Sequence, residues 1–390
     1  MEIVAKPTKS SSAGQNGPRV TIRDVAKQSG FSSSTVSIVL NDAPLARYVA
    51  KTTKDRIQAT AKKLGYRPNL FARSVRSHRT HTMGVLVFDM SDPFCTPILQ
   101  GIEDSLYKKS YLPILTDVQN ERSRFEAYLE MLLGLRVEGL IVLGNWLFMD
   151  VDVLSDLAKN RIPTVMIGHE LKKGPVSTVI VDNEAGSRLA IEHLFRLGHR
   201  EIAFIRGPKG LGDSVPRWRG IKQFAEANGL VLDPDRIVDL PESQHPMTGF
   251  EAGHALTKRL LDKGQRFTAL VGFDDMSALG AIRALAAAGI SIPQQCSVIG
   301  FDDVAPASLC TPALTTIRQP MSTMGAMSVT IALEAIRAEH DSKQFTPLHR
   351  RLAPELVVRD STAALGTVSL EQTEYPGRRN TTRLTRVLLS

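Results

Sequence analysis

Cysteine is scarce in this 390-residue chain, which has three: Cys95, Cys296 and Cys310. An odd, scattered set is a poor disulfide framework and points to a reducing compartment. No ligands cluster around them at the short spacing of a zinc site. No stretch approaches the about 18 consecutive apolar residues of a membrane span. The first twenty residues, MEIVAKPTKSSSAGQNGPRV, hold no apolar h-region, so no signal peptide is expected. These gaps lead us to expect a cytoplasmic protein with no metal and no cofactor. Signatures of catalysis are missing too. GPKGLG (207–212) looks like a phosphate loop, but no Lys follows Gly212. His193, His199 and His254 are too scattered for a His-Glu-x-x-His motif. There is no Gly-x-Ser-x-Gly elbow, and Cys95 has no recognisable activating partner. An enzyme is therefore not expected.

What the chain does have is positive charge, concentrated in one place. Arg19 to His81 contains 13 Lys or Arg against 3 Asp or Glu, a local net of +10. The whole chain is +8, so everything else sums to −2. A charge run can be an ordinary solvated face. A short segment carrying all the positive charge of a near-neutral protein is better explained by a polyanionic partner.

Within that segment, TIRDVAKQSGFSSSTVSIVL (21–40) reads as two short helices and a tight turn. Thr21 and Asp24 form a capping-box variant. Ile22, Val25 and Ala26 recur at helical spacing. Gly30 can take the left-handed conformation that ends a helix. Ser32 can cap a second helix that turns Val36, Val39 and Leu40 inward and leaves Ser33, Ser34, Ser37 and Ile38 outside. This is a helix-turn-helix plan, although two ordinary helices of an all-α core would look much the same. NDAPLARYV (41–49) reads as a loop. KDRIQATAKKLGY, capped by Thr52 or Thr53, reads as a third helix ended by Gly65 and Pro68. A core of Val25, Val36, Leu40, Ile57 and Leu64 would be only marginally stable alone. Residues 1–18 read as a disordered lead-in. NLFARSVRS (69–77) is a short helix or a linker, too short to be helical unaided.

From Met83 the grammar changes. Apolar runs of about 4–6 residues alternate with helical stretches, the signature of parallel strands buried on both faces. The runs are 83–88, 112–116, 139–143, 163–167, 177–182, 201–207, 237–240, 268–273 and 297–301, with helices between them, including one near 150–160. That is too many units for one comfortable sheet. The fold class is therefore α/β: a three-helix headpiece, then two doubly wound parallel-sheet subdomains with a ligand cleft at the carboxyl ends of the strands. The Thr- and Arg-rich tail, 361–390, carries no clear period and reads as an extension.

These pieces, in this order, resemble the LacI/GalR family of bacterial transcription regulators over about residues 19–362. The resemblance is carried by TIRDVAKQSGFSSSTVSIVLN, LGYRPNLFARSVRS, DPFC (92–95), VDNEAG (181–186), LGHREIAF (197–204), SVIGFDD (297–303) and LTTIRQP (314–320). It implies a helix-turn-helix headpiece at 19–68, a hinge at 69–80, a two-lobed periplasmic-binding-protein-like core at 81–362 that binds effector and dimerises, and an extension at 363–390. It implies a regulator, most simply a repressor, that binds double-stranded, pseudo-palindromic operator DNA as a homodimer, with tetramers an option. A small molecule, a sugar or related metabolite, would control the affinity.

By the same resemblance, Ser33, Ser34 and Ile38 face base edges. Thr21, Ser32, Thr35, Ser37 and Asn41 anchor phosphates or cap helices. Arg73 and Val75 belong to a hinge that wedges into the minor groove, where Val75 is smaller than the family's usual leucine. Ile38 replaces a basic or imidazole side chain and can touch a thymine methyl, but cannot bind guanine. Asp89 and Phe94 would line one lobe of the effector site. Arg217, Asp302 and Asp275 would line the other, with His169 beside Gly168, where many sugar-binding members carry Asp. A solute-binding receptor would share the core but lack the basic headpiece. A sugar- or nucleotide-processing enzyme would need a nucleophile or base that is not found.

Overall fold

The computed structural model describes residues 20–41, 43–67, 79–144, 162–168, 176–242 and 247–366. The expectations for Arg73, Val75 and His169, for the lead-in, for most of the hinge and for the helix near 150–160 fall outside these residues. The chain divides into two compact units, 1–80 and 81–390.

In the first unit, helix α1 (Ile22–Ser29) starts at the expected capping box: the Thr21 amide and hydroxyl donate to Asp24 at 2.8 and 2.7 Å. Gly30 ends it at φ +79°, a backbone conformation that a side chain would strain. Helix α2 (Ser33–Leu40) is capped by Ser32, whose hydroxyl accepts from the Thr35 amide at 3.1 Å. Helix α3 (Lys51–Leu64) starts two or three residues earlier than its threonines suggest. Ala50 is its N-cap and makes no side-chain bond, so Thr52 and Thr53 lie in the first turn and are not caps. The stretch read as a loop contains a 3₁₀ turn, Pro44–Tyr48. Val25, Ala26, Val36, Val39, Ile57 and Ala61 form the core, while Leu40 and Leu64 are only half-buried against it.

The second unit has twelve strands among the described residues. In chain order they are β1 (Thr82–Val87), β2 (Leu112–Asp117), β3 (Gly139–Leu143), β4 (Thr164–Ile167), β5 (Ser177–Val181), β6 (Ile202–Arg206), β7 (Ile237–Asp239), β8 (Ala269–Val271), β9 (Ser297–Asp302), β10 (Thr315–Arg318), β11 (His349–Leu352) and β12 (Glu355–Val357). They form two six-stranded sheets, ordered β11-β5-β4-β3-β1-β2 and β12-β10-β9-β8-β6-β7. Every pairing is parallel except β10 with β12. In the first sheet Val85 of β1 sits opposite Leu115 and Ile141. The inner strands are buried along their length, as their unbroken apolar runs require.

Helices α4 (Cys95–Lys108) and α5 (Arg122–Gly134) cover the first sheet. Helices α6 (Asn183–Arg196), α7 (Ser214–Asn228), α8 (Met247–Asp262) and α9 (Asp275–Ala287) cover the second. A short helix, α10 (Ala305–Leu309), follows β9. The last long helix, α11 (Met321–His340), returns to the first lobe and packs on α4 and on β3, β4 and β5. That contact is backbone to backbone. A Cβ on Gly101 would lie 2.1 Å from the Ser322 carbonyl oxygen, and one on Gly325 2.2 Å from that of Ile98. The chain thus passes between lobes three times: after β5, after β10, and between β11 and β12.

The tail read as an extension from residue 361 is packed as far as residue 366. The Val298 amide donates to the Ser361 carbonyl at 2.8 Å, the Ala363 amide to Ser297 Oγ at 3.1 Å, and the Leu365 amide to the Leu197 carbonyl at 2.8 Å. Buried His199 faces Thr268 Oγ1 at 3.0 Å, Ser297 Oγ at 3.0 Å and the Ala363 carbonyl at 3.1 Å. Burial lowers the pKa of His199 and of its neighbour His193, so both favour the neutral form.

Candidate nucleic-acid interface and ligand site

The first unit presents an uncharged helix start within a cationic surface. Ser33 and Ser34 are exposed in the first turn of α2, and Ile38 is half-exposed one turn later. Their hydroxyls and one branched aliphatic can serve base edges and a thymine methyl. Arg23, Lys27, Arg47, Lys51, Arg56, Lys62, Lys63 and Arg67 are all exposed in the same unit. Arg56 lies over the Phe31 ring, 5.6 Å from its centroid.

The other polar residues singled out in the sequence have local partners. Thr21 closes the capping box, and Ser32 bonds both the amide and, at 2.8 Å, the hydroxyl of Thr35. Asn41 Nδ2 donates to the Ser37 carbonyl at 2.8 Å and its hydroxyl at 3.2 Å, tying off the end of α2. These residues set the position of the helix that carries the exposed face; such contacts carry no sequence information.

In the second unit, several residues expected at the ligand lie at or just past the carboxyl ends of strands: Asp89 after β1, Asp275 after β8 and Asp302 at the end of β9. On the first lobe, buried Asp89 accepts from the Ser91 amide and hydroxyl at 2.8 and 2.6 Å. Asp92 accepts from the Phe94 amide at 2.9 Å, and Phe94 packs half-buried against the core. Burial pushes the Asp92 carboxyl up to about 7, and the carboxylates of Asp274 and Asp89 add to it. Asp274 belongs to the second lobe, so the DPFC turn and the FDD turn face each other. Cys95 is fully buried, and burial raises its thiol pKa far above the ordinary range, which makes it an inert packing residue.

On the second lobe Arg217, 6% exposed, is the centre of a network. Its Nε donates to Asn183 Oδ1 at 2.8 Å and its Nη1 to the Phe273 carbonyl at 2.6 Å. Its Nη2 meets Asp302 Oδ1 at 3.3 Å and Asp213 Oδ2 at 3.6 Å. The guanidinium carbon lies 3.8 Å from the Phe301 ring centroid and 4.6 Å from that of Phe273. Asp302 also accepts from Gln319 Nε2 at 2.6 Å and has φ +118°, unusual for a residue with a side chain. Burial raises its pKa, opposed chiefly by Arg217.

Asp275 sits differently from its expected place beside the ligand. It is 1% exposed, and its carboxylate accepts from Thr316 Oγ1 at 2.5 Å and the Val304 amide at 2.9 Å, which ties β10 to the loop after β9. Asp274 caps α9 through the Ser277 amide at 2.7 Å. Sequence reasoning missed Asp213, Phe273, Phe301 and Gln319 around Arg217; the aromatic residue that opens each FDD was the available signal. Asn183 bridges Arg217 and Asp213, the latter at 2.9 Å.

Among the described residues, no group of three or more His, Cys, Asp or Glu is arranged to hold a metal ion. No described helix is long and apolar enough to cross a membrane.

Comparison with known proteins gives two family matches: bacterial regulatory proteins of the lacI family over residues 21–69, and a periplasmic binding protein-like domain over 191–362. The HTH-type transcriptional repressor PurR of Serratia proteamaculans (strain 568) is 36% identical over 346 residues, 88% of this chain and 97% of that protein. The lac repressor dimer bound to operator and the anti-inducer ONPF has a similar structure, with a TM-score of 0.76 and 27% identity over 89% of this chain and 100% of that one. The regulator CelR in complex with cellobiose gives a TM-score of 0.64 at 27% identity, over 88% of this chain and 100% of that one.

Proposed function

This chain belongs to the lacI family of bacterial regulatory proteins, and from that premise we infer that it is a sequence-specific DNA-binding transcription regulator, a repressor, whose operator affinity is set by a small molecule held between its two lobes. The observation that carries the reading is the exposed Ser33–Ser34 pair opening α2, within a segment of net charge +10. The cations supply salt-dependent, sequence-independent attraction, and the serines with Ile38 read base edges. Thr21, Ser32, Thr35, Ser37 and Asn41 position that face.

In the second unit, Arg217, Asp302, Asp89 and Phe94 meet the effector, while Asp275 holds the lobe in shape. Arg217 already has two carboxylate neighbours, and Asp89, Asp92 and Asp274 gather nearby. This supports an uncharged ligand rich in hydroxyl or amide groups over an anion, in keeping with the cellobiose held by CelR. The ligand can shift DNA binding only by its different affinity for two lobe arrangements, and the coupling runs both ways.

The chain works as a homodimer, as the lac repressor does on its operator. The free outer edge of β2, with Leu112 and Leu115 exposed along it and Tyr107 and Met131 exposed on the adjoining helices, offers the apolar face for a twofold contact. The deciding experiment is selection of bound duplexes from a random pool by the purified full chain. An inverted-repeat site with fixed half-site spacing is expected. Recovery of unenriched sequence would overturn the reading.

A further inference from the structure

The chain passes between its lobes through three short connectors. Gln319 and Pro320 lie between β10 and α11, Ala353 and Pro354 between β11 and β12, and Asp182 between β5 and α6. A change in the angle between the lobes has to be absorbed in these residues and their immediate neighbours. The Asp182 amide donates to the Leu352 carbonyl at 2.9 Å, which holds one connector to the next. On the second lobe, β9 ends at Asp302 and Asp303 follows, both at positive φ, +118° and +61°. Two consecutive non-glycine residues in this region persist only where their surroundings hold them. The turn sends the two carboxylates to different partners. Asp302 meets Arg217. Asp303, its side chain 10% exposed, accepts from Arg318 Nε at 2.7 Å and from Arg359 Nη2 at 2.5 Å. Arg318 is the last residue of β10, and Glu355, 3.8 Å from its guanidinium, is the first of β12. Arg359 follows β12 and also donates to the Leu314 carbonyl, just before β10, at 2.8 Å. One carboxylate thus ties together both strands that run to the first lobe.

We propose that Asp303 is a positioning residue that sets the angle between the lobes, because its carboxylate locks β10 and β12 to the end of β9, the strand that carries Asp302 to the ligand. The regulatory meaning of the clamp rests on the reading above, that lobe arrangement governs operator affinity. Arg217 and Asp302 register the ligand. Asp303 shares one strained turn with Asp302, so a shift of that backbone is passed to Arg318 and Arg359 and from them to the connectors. With the clamp intact the lobes hold one arrangement until a ligand supplies the difference in affinity between two. Without it they spread over both.

The test uses the full chain with no ligand added. Spin labels are placed on Lys108→Cys in α4 and Lys258→Cys in α8, exposed positions on opposite lobes, in a Cys310→Ser background. Labelled chains are assembled with an excess of unlabelled chain, so each distance read by electron–electron resonance lies within one chain. Asp303→Asn removes the charge and keeps the turn, since asparagine tolerates positive φ. The parent is expected to give one narrow distance peak. Asp303→Asn and Arg318→Gln should broaden or split it, and Arg318→Lys, which keeps a cation opposite Asp303, should return the parent peak. Asp303→Asn should also change affinity for the selected inverted-repeat duplex by about fivefold or more, the low end of allosteric coupling. A parent-like peak in Asp303→Asn overturns the proposal. So does a lower melting temperature with the peak unmoved, which is what a purely structural tie would give. A broadened peak with unchanged duplex affinity upholds the clamp and overturns the reading that lobe arrangement governs DNA binding.

Discussion

Arg217→Ala should cost the second lobe more than one ion pair. At 3.3 Å, and with an effective dielectric of about 20, the attraction to Asp302 is about 5 kcal/mol before desolvation is subtracted. Deletion keeps the desolvation penalty and discards the attraction, and breaking a buried pair from one side costs about 3–5 kcal/mol. Asn183 Oδ1 and the Phe273 carbonyl lose their donor as well. We therefore expect a destabilisation of about 3–5 kcal/mol. Adding Asp302→Asn should return about 1–3 kcal/mol, because it removes the stranded charge. The cost should be larger at pH 8 than at pH 5. Asp302 has a raised pKa even with Arg217 present; without it, the native state gains still more from protonation, and that gain disappears as pH rises. Trp218 neighbours Arg217 in sequence on α7 and stacks edge-on with Phe204, so its fluorescence reports this lobe. Guanidinium unfolding at matched protein concentration measures the difference. A single-variant loss under about 1 kcal/mol, or a double variant whose losses simply add, would refute the network's energetic role.

Four more variants probe other parts of the chain. The Asp275 carboxyl is raised to about 7 from 3.8, so the native state holds an extra proton between those values and stability falls as pH climbs through that window. Asp275→Asn should change the unfolding midpoint little at pH 5 and raise it at pH 8; equal effects at both would remove Asp275 as the cause. Ser32→Ala should cost the first unit about 1 kcal/mol by loss of its cap, read as faster exchange of the Thr35 amide. Ser34→Ala should leave that exchange alone and alter base preference in selected sites. His199→Leu should leave the Thr268 and Ser297 hydroxyls and the Ala363 carbonyl short of a partner. Trypsin should then cut after Arg359 faster, and an unchanged cleavage rate would show that the other contacts of 361–366 suffice.

Local chemistry was legible in the sequence wherever one residue type has one use. Thr21 with Asp24, Ser32 and Gly30 marked the ends of α1 and α2, and β1 to β9 announced themselves as unbroken apolar runs. The sequence reading stopped after β9. Helix α11 is buried on several sides and holds Met, Ser, Thr and Gly, so its apolar stripe is blurred. Strand β11, HRRL, is mostly exposed at a sheet edge and looks like a loop. The cleft was half legible. Motif position pointed to Arg217, Asp302 and Asp89, but only the folded chain separates Asp302, which faces Arg217, from Asp275, which faces Thr316. Asp302 is the first acidic residue of its FDD stretch and Asp275 the second of its own, and the shared motif does not say which of the two meets the arginine.

The repeated passage of the backbone between lobes bears on how the protein is made. The sheet begun by β1 lacks its covering helix until residue 340 and its far edge until residue 352; the sheet begun by β6 waits for residues 355–357 and for the strap through 366. A ribosome must therefore release almost the entire polypeptide before either half is finished. Unlike proteins whose modules mature one after another, this one completes both halves nearly together, and a chain ending before residue 349 would leave both with raw, sticky sheet edges.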